Sequence, residues 1–93
     1  MLKAAKGSYM KISKFDRSQK AHRVLAERNR KKALFEKSDS LSNFYYLKSC
    51  YHSDVIDCQS RIGRVLTKPE RKKAFSIEKK HGGNVDFHAL FKK

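Results

Sequence analysis

Residues 38–67, SDSLSNFYYLKSCYHSDVIDCQSRIGRVLT, decide how this chain is read, because they form its only long stretch without excess positive charge. Lys48, Arg61 and Arg64 balance Asp39, Asp54 and Asp57 there. Residues 1–37 carry twelve Lys/Arg against Asp16, Glu27 and Glu36, and residues 68–93 carry eight against Glu70, Glu78 and Asp86, so the net charge of +14 falls in two flanking arms. Leu41, Phe44, Tyr45 and Leu47, then Val55, Ile62, Val65 and Leu66, recur at three- and four-residue spacing and predict helix. The polar run 49–52 reads as a break, after which Ser53 caps a new helix whose first turn carries Asp54 and Asp57. The expectation is a neutral helical hairpin over 38–67, with Phe44, Tyr45 and Leu47 packed on Val55, Ile62 and Val65.

N-terminal to it, residues 16–37 contain neither Gly nor Pro and are rich in Ala, Leu, Arg, Lys, Glu and Gln, which predicts a basic helix. Asp16 with Gln19 reads as its cap. Ala21, Val24, Leu25 and Phe35 share one side, but Arg17, Arg28 and Lys32 fall among them, and burying such a face would desolvate charge. A helix of this kind is expected to meet phosphates on several sides. Residues 1–15 show no sustained periodicity and read as a basic extended arm, in which Tyr9 and Phe15 could stack on unpaired bases.

C-terminal to it, Thr67 and Glu70 form a capping box with Pro69 in the first turn, and Gly82 and Gly83 offer a left-handed stop, so residues 68–83 read as a second basic helix. Val85, Phe87, Leu90 and Phe91 make residues 84–93 a small apolar plug, docking on the hairpin or on a protein neighbour.

With 39% hydrophobic and 34% charged residues over 93 positions, the chain supports one small core at most and repels itself, so a polyanionic partner is expected to order it. No stretch is long and apolar enough for a signal peptide or a membrane span, and the two cysteines read as free thiols in a reducing compartment. The lysine-rich start leaves a mitochondrial presequence as an alternative. The spacing of Cys50, His52 and Cys58 matches no common zinc pattern, so no metal or other cofactor is expected. The acids are scattered singly and the glycines build no phosphate loop, which argues against an enzyme and against a small-molecule substrate. The basic helices lack the broad apolar face of interfacial membrane helices.

Three short stretches resemble segments of different families: Ile62-Gly63-Arg64-Val65-Leu66-Thr67 is similar to part of a large-subunit ribosomal protein family at the exit tunnel. Ser49-Cys50, His52-Ser53, Val55-Ile56 and Ser60-Arg61 are similar to a zinc-bearing small-subunit ribosomal family whose paired CxxC motifs are missing here. Lys31-Lys32-Ala33-Leu34 with Phe44-Tyr45-Tyr46 resembles a basic protein of the small-subunit processome. They identify no single family and share only an implied tie to ribosomal RNA.

The expected architecture is therefore all-α and extended, with about four short helices, a small central helical hairpin and basic terminal arms, ordered mainly by its partner. The expected function is non-catalytic binding of ribosomal RNA within a ribosomal particle. Arg17, Lys20, Arg23, Arg28, Arg30, Lys31 and Lys32 serve one helix, and Arg71, Lys72, Lys73, Lys79 and Lys80 the other. Neighbouring ribosomal proteins would meet the hairpin and the plug. The expected location is a cytoplasmic ribosome, with a nucleolar or mitochondrial particle as alternatives. A dormancy or assembly factor of the ribosome fits the same residues, and a protein-interaction adaptor or a DNA-binding protein is the alternative class.

Overall fold

The structure, a computed structural model, describes residues 13–91. Within them the chain is all-helical: α1 (Lys14–Phe35), α2 (Asp39–Ile62), α3 (Lys68–His81) and a single turn, α4 (His88–Phe91).

Each long helix starts at a side-chain cap. Ser13 accepts from the Asp16 amide at 3.0 Å, so α1 begins two residues before the expected Asp16 cap and takes in Phe15. Asp16 sits instead in the first turn, where its charge suits the helix dipole. Ser38 caps α2. Thr67 and Glu70 form the reciprocal box of α3, and Pro69 occupies the first turn as expected. Gly63 and Gly82 end α2 and α3 with φ of 75° and 77°, a left-handed conformation that costs a side chain about 1–2 kcal/mol.

The expected hairpin within 38–67 is replaced by one continuous helix of 24 residues. Ser49, Cys50, Tyr51 and His52 suggest a break by their polarity, but none of them forbids helix, and Ser49, Tyr51 and His52 are buried on the same stripe as Val55, Cys58 and Gln59. Phe44 and Tyr45 therefore cannot fold back on Val55 and Ile62, which lie further along the same rod. The real hairpin is α1 against α2, joined by residues 36–38, and it forms the largest helix contact of the fold.

The face that α1 turns to α2 also differs from the apolar side expected for it. Ala21 and Val24 are exposed, and Phe35 is 81% exposed, whereas Gln19, Ala26 and Asn29 are buried and His22 is half-buried. Positions 19, 22, 26 and 29 follow the three-four rhythm of helix packing with polar or small side chains in place of apolar ones. Gln19 and His22 are matched across the seam, while Asn29 donates to the Leu25 carbonyl of its own helix at 2.8 Å. Gln59, fully buried, donates to Gln19 at 2.8 Å and accepts from the Leu66 amide at 3.0 Å, while Gln19 donates to the Ile56 carbonyl at 3.2 Å. His22 and His52 share a hydrogen between their Nδ1 atoms at 2.8 Å, and Ser42 donates to the Ala33 carbonyl at 2.7 Å near the turn. Buried polar groups of this kind are stable only when each finds a partner, and here they do.

The apolar core lies on the adjoining face of α2. Tyr51, Val55 and Cys58 meet Leu66, Ala74, Phe87 and Phe91. Thus the plug closes the chain's own core through Phe87 and Phe91, while Leu90 stays exposed. Asp54 accepts from the Val85 amide at 2.9 Å, and Arg64 grips Glu70 through two nitrogens at 2.9 and 3.0 Å while also donating to the Phe91 carbonyl at 3.1 Å. The arginine beside Glu70 holds its carboxyl down to about 2. The result is a flat, elongated body of 53 × 35 × 18 Å, with a radius of gyration of 15.7 Å where a compact chain of this length would have about 12 Å.

Candidate nucleic-acid interface

Two cationic surfaces emerge from the helices. The first is the outer face of α1, turned away from α2. Arg17, Lys20, Arg23, Arg28 and Lys31 are all exposed on it. Arg23, Arg28 and Lys31 surround Val24 and Glu27 in an open depression of about 530 Å³. Arg30 is exposed too but bound to Glu27 at 2.6 Å, and Lys32 lies 5.3 Å from the centre of the Tyr45 ring. Since α2 covers the opposite side, α1 cannot meet phosphates all round; its seam faces protein.

The second surface is a cleft of about 570 Å³ where α1, α2 and the first half of α3 meet. Its α3 wall carries Lys68, Arg71, Lys72 and Phe75, at a spacing that puts them on one side of the helix. Its α2 wall carries Lys48, Tyr51 and His52, and α1 contributes Leu25 and Asn29. Among the described residues no acid lines it. Arg71 is fixed there by donating to the Leu66 carbonyl at 2.7 Å. Burial lowers the affinity of His22 for a proton, and the nearby Arg71 charge lowers it further. His52 is pushed down to about 4 by burial, then by His22 and Lys48. Both rings are therefore neutral at physiological pH, one donating and one accepting. Tyr51 and Phe75 meet edge to face, with ring centres 5.3 Å apart.

Among the expected contact residues, Arg71 and Lys72 reach the cleft, and Lys79 does not line it but lies over the Phe75 ring, 5.1 Å from its centre. Lys73 and Lys80 are exposed elsewhere on α3. Phe15 is half-buried in the first turn of α1 and so does not belong to an extended arm. Tyr9 lies outside the described residues. Lys48 and Lys68 complete the cleft and fall outside the expected set. Lys48 belongs to the neutral segment by charge, yet it stands three and four residues before Tyr51 and His52 on α2, so a reading of that segment as one helix places all three on one side.

Cys50, His52 and Cys58 are dispersed: Cys58 is in the core, His52 is paired with His22, and Cys50 is packed beside Gly83. Among the described residues no three metal-ligating side chains converge, and no helix is long and apolar enough to cross a membrane. No protein-family model matches the chain, no curated protein matches it, and no solved structure matches it.

Proposed function

We propose that this chain is a non-catalytic RNA-binding protein that holds ribosomal RNA by its backbone within a ribosomal particle. One observation carries this reading. Of the twelve cations of α1 and α3 named as contacts, Arg30 alone has an acidic partner among the described residues, so a surface that repels itself awaits negative charge from elsewhere. Phosphates at regular spacing supply it, with release of counterions as the driving force. Folded RNA is favoured over duplex DNA because the cations occupy separate faces of an elongated body, which suits phosphates approaching from more than one direction. A protein neighbour within the same particle fits the α1–α2 turn, where Leu34 is 74% and Phe35 81% exposed.

Sedimentation of cell lysate on a sucrose gradient, with and without RNase, tests the reading. The expected result is co-migration with ribosomal particles that collapses on RNase treatment. Polysomes would mark a constitutive component, and idle monosomes or precursor particles a dormancy or assembly factor. A chain that stays at the top of the gradient in both conditions overturns the proposal and returns the adaptor reading. In purified form, replacing Arg23, Arg28 and Lys31 together by Gln is expected to flatten the log–log salt dependence of binding to single-stranded RNA by about 2, at about 0.7 per phosphate contact. An unchanged slope would mean that these three residues do not touch phosphate.

A further inference from the structure

We propose that the cleft between α1, α2 and α3 holds one extruded nucleotide of single-stranded RNA, with the base against Tyr51 and Phe75 and the flanking phosphates on Lys48, Lys68, Arg71 and Lys72. This rests on the RNA-binding reading and gives it a specific site.

The cleft differs from the depression on the outer face of α1 in its lining, which includes the rings of Tyr51, His52 and Phe75. Its volume of about 570 Å³ lies in the range that encloses a small organic molecule, so a base with its sugar has room. Four cations from two helices converge on it with no acid among them, an arrangement that the packing of the protein does not require. Arg71 is already anchored on the Leu66 carbonyl, so its ordering does not have to be supplied by the ligand. The rings of Tyr51 and of the more open Phe75 meet at 67° and both line the cleft, an aromatic surface suited to a flat ring. His52 uses Nδ1 on His22 and keeps Nε2 for another partner, and Asn29 adds a second polar edge.

These features select a nucleotide over an acidic peptide. A carboxylate chain would neutralise the lysines but bring nothing flat to the aromatic surface. They also select an unpaired base, because a base inside a duplex cannot turn its face outward.

The test uses the full chain, a short single-stranded RNA carrying one 4-thiouridine, the matching duplex, and polyglutamate of equal charge. Irradiation is expected to crosslink the thiobase within 48–52 or 68–75. Phe75→Leu is expected to weaken single-strand binding about tenfold, the cost of one stacked base, with duplex binding unchanged. Lys48→Gln with Lys72→Gln, two exposed or half-exposed sites whose loss leaves the core intact, should flatten the single-strand salt slope by about 1.4. Crosslinks confined to 17–31, with single-strand binding indifferent to both variants, would overturn the pocket and leave RNA binding standing. Absence of any RNA binding would overturn both. Polyglutamate that binds as tightly as the RNA, with the same loss in both variants, would assign the cleft to an acidic protein segment instead.

Discussion

Glu78 is fully buried on α3, and neither of its carboxyl oxygens has a hydrogen-bond donor among the described residues. Burial first, and then the carboxyl of Asp54, push its pKa up to about 8, so at neutral pH it keeps its proton. Across α2, the His22–His52 pair does the reverse and refuses a proton. The two sites act on stability with opposite signs. A folded value raised from 4.5 to about 8 means that the contribution of Glu78 is present below pH 4.5 and is lost as pH rises to 8. A folded value lowered from 6.5 to about 4 means that the contribution of His52 is present above pH 6.5 and is lost as pH falls toward 4. Between pH 4.5 and 6.5 the slopes of the two sites oppose each other, with His22 adding to that of His52; above 6.5 the histidines no longer oppose the carboxyl site. Urea unfolding across pH should therefore show a decline in stability from about pH 6.5 to about 8 that is offset at lower pH. Glu78→Gln should remove that decline. A decline of equal size in the variant would mean that another group titrates there.

At the scale of the helix, α3 is fully legible in the sequence: its start at Thr67 and Glu70 and its stop at Gly82 are local devices, written in adjacent residues. The two longer helices are less so, for one physical reason. Gln19, His22, His52 and Gln59 are buried or half-buried as two matched pairs, with Asn29 and Ser49 buried beside them, and a reading that equates burial with hydropathy passes over each of them singly. Only the partner across the seam makes Gln59 a core residue, and the partner stands forty positions away. The same blindness hides the cleft, since Lys48 joins Lys68 and Arg71 only if α2 runs unbroken through 49–52. That continuity can be tested at Ser53, which is exposed, so its replacement leaves packing untouched. Ser53→Pro in the interior of α2 should cost about 3 kcal/mol or more by urea unfolding, through the lost backbone bond and the clash with the preceding turn. A cost below about 1 kcal/mol would restore the break.

For the molecule as a whole, charge and helicity are readable from composition and spacing, while which cations gather on which face is not, because that depends on how α1 lies on α2. The same contact has a thermal consequence. Unfolding raises heat capacity through the apolar surface it exposes and lowers it through the polar surface, by about +0.45 and −0.26 cal/mol/K per Å². In this chain the largest helix contact is a polar seam, and the apolar core is confined to a few side chains on the adjoining face of α2. The heat-capacity change should accordingly fall below the usual range of about 12–15 cal/mol/K per residue, as measured by calorimetry at several pH values. A value within or above that range would mean that the seam opens before the main transition. With a small change, stability varies gently with temperature: the chain gains little at its optimum, and cooling takes little away.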